Sequence, residues 1–155
     1  MLNEVLKQLN NYFLGDTIHE VDVTFTTTDT LEGNFIDTFQ AGQYIYVYNS
    51  LLNDGVYKIL TITDTTITID ATVDLLIDTE SVSSVGLIQC AIPKTLVALI
   101  DDISLYSTNI QDGISSESQG GRSVSYNGGA QGGSGSSWTS AFSNRLGPYK
   151  KVRWR

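Results

Sequence analysis

The sequence predicts an α+β fold: a small helical domain of about three helices, an antiparallel β-sheet or barrel module inserted into it, and an extended C-terminal arm. Three observations lead there. Apolar residues recur at three- and four-residue intervals near both ends of the chain and again after Pro93. Between residues 16 and 92 the period drops to two, as in a pleated strand. From residue 113 the chain turns to glycine, serine and asparagine and finishes in a basic, aromatic run.

Leu2, Val5, Leu6, Leu9, Tyr12 and Phe13 form one stripe, which predicts a helix over 2–14 with Gly15 as its stop. Residues 19–26 alternate polar and apolar, as a half-buried strand does. Residues 43–48 place aromatic and β-branched side chains on opposite faces. Asn53-Asp54-Gly55 signals a turn before a strand over 56–62, and Asp64-Thr65 signals another before 66–69. A last strand runs from Val82 to Ile92, with Gly86 suited to a bulge. Five or six short strands at this spacing predict a small antiparallel sheet or barrel. Pro93 then opens a second helix, where its missing N–H would have no partner in any case. Leu96, Val97, Ile100, Ile103 and Ile110 make its apolar stripe, widened by Leu99 and Tyr106, and it should end near 109–113. Ser136 and Ser137 can cap a third helix carrying Trp138, Phe142 and Leu146, which Gly147-Pro148 should break. Helices this short are marginal alone. The three are therefore predicted to pack together. The expected division is a helical core from 1–15 and 92–126, a β module over 16–91, and an arm, short helix and basic tail over 127–155.

Composition closes off most chemistry. There is one cysteine, Cys90, and one histidine, His19, so neither an internal disulfide nor a four-ligand zinc site can be built. Cys90 lies in an apolar strand and reads as a small buried hydrophobe. Nucleophilic catalysis needs a base beside the nucleophile, and His19 stands by itself at a strand start. The acids are scattered over turns and helix faces, with no pair that singles itself out for glycoside chemistry. Asp64, Asp70, Asp74 and Asp78 lack the glycine and terminal glutamate of a calcium loop. Gly128, Gly129, Gly132, Gly133 and Gly135 lack the Gly-Lys-Ser/Thr ending of a phosphate loop and read as a flexible linker. The expectation is a protein that is not an enzyme and uses no cofactor and no metal. No basic stretch followed by an apolar run opens the sequence, and no apolar run approaches the roughly 18–20 residues that cross a bilayer. The chain is therefore expected to stay soluble in a cytoplasm until it assembles, without membrane contact.

Charge is unevenly placed. All 17 acids fall between Glu4 and Glu117, beside only Lys7, Lys58 and Lys94, so residues 1–121 carry −14. From Arg122 onward there are six basic residues and no acid, and five of the six lie between Arg145 and Arg155. A solvated basic tail is the plainer reading. A cationic tail that docks on an acidic partner, or on the next copy of the chain, is the sharper one.

Three stretches resemble the head–tail connector (adaptor) proteins of long-tailed bacteriophages. They are the short N-terminal amphipathic helix, Ile92-Pro93-Lys94 leading into the helix through Ile103 and Tyr106, and above all the run from Gly113 to Tyr126. Within that run Ser116-Glu117-Ser118, Gly120 and Ser123-Val124-Ser125-Tyr126 match a Ser-Glu-Ser, Gly, Ser-x-Ser-Tyr pattern. The resemblance covers roughly 1–15 and 92–155, and the β module is a departure from the family's nearly all-helical members. It implies a structural virion protein at the head–tail neck, assembled in the host cytoplasm. The implied assembly is a ring, usually a dodecamer, under the portal, which extends the DNA channel and offers a platform to a neck closure or tail protein. Its implied partners are the portal protein, other copies of the chain and, in transit, double-stranded DNA. Docking on the portal or on a neighbouring subunit would fall to Trp138, Phe142, Arg145, Tyr149, Lys150, Lys151, Arg153, Trp154 and Arg155. The run 114–126 would be an ordered loop at a subunit contact or near the channel. An acidic lumen would let DNA slide where a cationic one would hold its phosphates. The arm and tail are expected to be mobile before docking.

Two other readings compete. A head-closure (stopper) or tail-completion protein of the same neck would suit a small barrel. A nucleic-acid-binding protein could use the basic residues and Trp154 between Lys150 and Arg155, although the −14 of the preceding chain repels DNA.

Overall fold

In a computed structural model, which describes residues 1–35, 38–50, 52–70, 75–109, 116–119, 122–125 and 138–151, the chain is mixed α+β. The elements run α1 (Leu2–Leu9), β1 (Leu14–Phe25), β2 (Thr30–Glu32), β3 (Tyr44–Tyr48), β4 (Gly55–Ile62), β5 (Thr66–Ile69), β6 (Asp78–Cys90), α2 (Lys94–Asn109), β7 (Ser116–Gln119), β8 (Arg122–Ser125), α3 (Trp138–Ala141) and α4 (Ser143–Leu146), followed by a 3-10 turn over Gly147–Tyr149. They divide into two compact units, Leu2–Pro93 and Lys94–Arg155, the second also taking Met1.

In the first unit the strands close into an antiparallel barrel in the order β1-β2-β5-β4-β3-β6. Closure gives each of these strands a neighbour on both sides, although β1 meets β2 only at Thr24 and Phe25, and β6 meets β3 only from Gly86 to Cys90. Alternation sorts the side chains. Ile45 and Val47 of β3, Ile67 and Ile69 of β5, and Val85 and Leu87 of β6 point inward and join Phe25, Leu31, Phe35 and Ile59 in one core. The long strands β1 and β6 pair along most of their length, with register shifts between Leu14 and Ile18 and again on either side of Val23. Such irregularities bend a strand and help a small barrel close. The 5-residue β3 pairs with β6 on one side and β4 on the other.

Helix α1 is shorter than its stripe predicts. Asn10 takes a left-handed φ of 52°, and the amides of Asn10 and Asn11 bond back to Lys7 and Leu6 carbonyls. Asparagine tolerates this C-terminal stop better than most residues. The chain then turns through Phe13, also at positive φ, whose amide donates to Asn11 Oδ1. Strand β1 thus begins at Leu14, and Tyr12 and Phe13 leave the helix. Asn3 ties α1 to β4: the Val56 amide donates to Asn3 Oδ1 at 2.7 Å, and Asn3 Nδ2 donates to the Val56 carbonyl at 3.2 Å. Val5, Leu6 and Leu9 are buried. The compact unit Leu2–Pro93 therefore holds α1 together with the barrel, where the sequence reading groups 1–15 with 92–126.

In the second unit, α2 follows Pro93 and runs to Asn109, within the expected end, and Leu96, Leu99, Ile100 and Ile103 are buried. The third predicted helix is broken in two. Phe142, at φ −107° and ψ 6°, separates α3 from α4. Gly147-Pro148 does not end the helical path. Pro148 sits in the first positions of the 3-10 turn, where its fixed φ fits. Strands β7 and β8 form a hairpin with Ser116 opposite Ser125 and Gln119 opposite Arg122. The sequence reading makes this an ordered loop. The paired segments carry no apolar alternation to reveal them. Gly120, Tyr126, Ser136 and Ser137 lie outside the described residues, as do the glycine-rich 127–136 and the last four positions. The expectation of a mobile arm falls largely on those residues.

Candidate interaction surfaces

The barrel presents walls of different chemistry, set by which residues alternate outward. On β1, β2 and β5 the outward positions include Asp22, Thr24, Glu32 and Thr66. With Gly33 and Thr65 they line an open concavity of about 460 Å³. Thr24 lies opposite Glu32, and Glu32 opposite Thr66. This wall offers carboxylates and hydroxyls.

Where the start of β1, the end of β6 and β3 run side by side, the outward positions include apolar and aromatic residues. Tyr44 pairs with Cys90, Tyr46 with Ile88 and Tyr48 with Gly86. Tyr12, released from the helix, stacks on Tyr46 with ring centroids 4.9 Å apart, and Tyr46 stacks on Tyr48 at 6.0 Å. Each of the three rings is half-buried. Ile88 and Cys90 are covered, while Leu14 and Ile18 on β1 remain 45% and 53% exposed. Gly86 has no bulge: the pairing of β3 with β6 runs through it without interruption. A Cβ there would overlap the Tyr48 ring, so glycine is required by the close approach of that ring. Burial first, then the neighbouring Tyr12, Asp54 and Cys90, push the Tyr46 phenol above its usual range. The same burial pushes the Cys90 thiol up to about 12. At neutral pH it is a small hydrophobe with its sulfur 3.8 Å from the Ile88 carbonyl oxygen.

At the β3–β4 connection, Asn53 is buried and its side chain clamps the backbone of Leu76. The Leu76 amide donates to Asn53 Oδ1 at 2.8 Å, and Asn53 Nδ2 donates to the Leu76 carbonyl at 3.0 Å. Asp54 accepts from both the amide and hydroxyl of Ser50, and the Tyr57 hydroxyl donates to the Asn53 carbonyl. The predicted Asn-Asp-Gly turn is thus a cross-link between two loops. Gly55 already belongs to β4, opposite Val47.

Of the predicted docking residues, Trp138, Phe142, Arg145, Tyr149, Lys150 and Lys151 are described, and Arg153, Trp154 and Arg155 lie outside the described residues. Several of them are engaged on the chain's own α2. The Phe142 ring meets Tyr106 edge-on at 5.4 Å. Arg145 reaches Asp102 at 2.8 Å, with both side chains more than half exposed, and also lies over the Phe142 ring. The Tyr149 hydroxyl bonds Thr95 Oγ1 at 2.9 Å. Leu146 is buried. Lys150 and Lys151 are exposed. Trp138 is half-buried in α3. Glu117, Ser118, Ser123 and Ser125 fall on the β7–β8 hairpin with Ser116.

His19 packs edge-on against Phe39 with ring centroids 5.0 Å apart. Among the described residues no three His, Cys, Asp or Glu side chains stand close enough to hold a metal ion, and no helix is long and apolar enough to cross a membrane. The fold and its surfaces define a small closed barrel in one unit, and helices, a hairpin and a basic end in the other. Comparison with protein-family models, curated proteins and solved structures finds no match to this chain.

Proposed function

We propose that this chain is a structural virion protein, a head–tail connector that forms a ring beneath the portal and joins head to tail. The observation that carries the reading is the run Gly113–Tyr126 with its Ser-Glu-Ser, Gly, Ser-x-Ser-Tyr pattern. The partition of charge supports it. The unit Leu2–Pro93 holds 13 acids and two lysines, a net −11, while Lys94–Arg155 holds seven basic residues and four acids, a net +3. Unlike units on one chain suit head-to-tail association, which closes into a ring when the rotation fits. The exposed Lys150 and Lys151, with Arg153, Trp154 and Arg155 after them, supply the docking end.

A second reading, a head-closure or tail-completion protein of the same neck, is favoured by the closed six-stranded barrel. One experiment separates the two. Purified protein, and a version cut after Ser136, are mixed with emptied phage heads that bear a portal and viewed by electron microscopy. A ring at the portal vertex with the full chain alone supports the connector reading. Binding by neither removes it and leaves the closure and tail-completion readings to be tried on heads that already carry a connector.

A further inference from the structure

We propose that the tyrosine wall of the barrel, Tyr12, Tyr46 and Tyr48 with Leu14 and Ile18, is the seat for the basic tail Lys150–Arg155 of a second copy of this chain. The choice of a second copy rests on the ring reading above.

The wall is built to take such a segment. Two stacked contacts, at 4.9 and 6.0 Å, hold three phenol rings in a row. Gly86 lets Tyr48 lie flat against the sheet. Leu14 and Ile18 are about half exposed beside the same strand β6. Apolar and aromatic side chains gathered on one face of a barrel suit a contact site. Its surroundings set the sign of the partner. The unit is net −11, and Asp54 is close enough to Tyr46 to disfavour the phenolate.

The tail is the complementary piece. Lys150-Lys151-Val152-Arg153-Trp154-Arg155 has four cations, one tryptophan, one valine and no acid. Cations settle over aromatic faces, arginine most readily, and tryptophan stacks on tyrosine. Phe142, Arg145 and Tyr149 fix the preceding turn on α2, so the tail leaves from an anchored point. The four residues after Lys151 span at most about 14 Å when extended. A short, anchored, cationic and aromatic peptide suits a shallow aromatic wall better than a deep pocket.

The test uses the full chain and two variants, followed by sedimentation velocity at low salt. Ile18→Lys puts a cation at an exposed wall position. Lys150→Glu/Lys151→Glu reverses the tail. Unchanged thermal melts show that both fold. The expected result is self-association of the parent chain, weakened at least tenfold in each variant, and restored when the two are mixed, because the wall lysine now meets a tail of opposite sign. Restoration on mixing requires contact between copies. A parent that stays monomeric, whether its tail is seated on its own barrel or on nothing, overturns the proposal. So does association that ignores both changes. Portal-bearing heads serve as a separate arm. Heads that still gain a ring with Ile18→Lys, in a chain whose self-association ignores it, sink the wall contact and leave the connector reading standing. Heads that gain no ring with the parent chain sink the connector reading itself.

Discussion

Replacing Asn53 by alanine should cost the barrel unit about 2–3 kcal/mol, because one side chain closes two hydrogen bonds to a single backbone residue. Asn53 is 4% exposed. It accepts from the Leu76 amide at 2.8 Å and donates to the Leu76 carbonyl at 3.0 Å. Each bond contributes about 0.5–1.5 kcal/mol net, and a group left unsatisfied in a buried place costs about 1–3. Leu76 is 53% exposed, so water can recover part of the loss, which keeps the total near the lower end. The bond from Tyr57 to the Asn53 carbonyl and the bond from the Asn53 amide to Ser50 Oγ do not depend on the side chain and should survive. Urea unfolding reads the difference. With a slope of about 1–3 kcal/mol per molar for a small protein, the midpoint should fall by roughly 1 M without a change of slope. Hydrogen exchange adds a local reading, since the Leu76 amide should lose protection first. A loss below about 0.5 kcal/mol, with the Leu76 amide still protected, would refute the clamp.

Gly86→Ala should cost about 1–3 kcal/mol by forcing Tyr48 off the sheet, and near-ultraviolet circular dichroism should register the lost ring packing; an unchanged tyrosine signal would contradict it. Burial holds the Cys90 thiol near 12, above its ordinary value. Native protein should therefore react with an aromatic disulfide reagent only as fast as it unfolds. The associated stability is complete below about pH 9 and is lost as pH climbs toward 12, so alkaline melts should fall in that window. Asp102→Ala should cost less than about 1 kcal/mol, since the pair with Arg145 is exposed on both sides. Leu146→Ala should cost about 2–4 kcal/mol to the unit that holds it; equal losses in the two variants would show that the ion pair, and not packing, secures this turn.

The barrel strands with clean alternation were legible in the sequence, and the rest failed for identifiable reasons. β3 reads off directly, with Ile45 and Val47 inside and Tyr44, Tyr46 and Tyr48 outside. β2 has three residues, too few to show a period. The helical stripe of α1 continues through Tyr12 and Phe13 on paper, but Asn10 takes a left-handed turn and hands both residues to the barrel. That local choice also hid the tyrosine wall, because Tyr12 looks like a helix residue until the chain turns. Asn53 looks like a turn residue, and only the approach of Leu76, 23 positions later, makes it a clamp. β7 and β8 pair through serines, which carry no hydrophobic signal. The chemistry of the C-terminal end was legible as residue types. What the sequence could not show is that Phe142, Arg145 and Tyr149 are engaged on α2, which leaves the exposed lysines beyond them as the outward part.

The sign of the charge on each unit restricts how copies of the chain can meet on the ring reading. A two-fold contact between barrels would bring −11 against −11. At physiological salt, screening over about 8 Å weakens that repulsion at a distance and leaves it at contact, where the interface must form. A head-to-tail contact brings −11 against +3 instead. The favourable pairing is therefore between unlike surfaces, and unlike surfaces generate rings or filaments and not closed pairs. The Arg145–Asp102 pair follows the same logic inside the second unit, where a residue of the basic end is already matched by an acid of α2. Lys150 and Lys151, just beyond that pair, are exposed, and the unit Leu2–Pro93 holds most of the chain's acids.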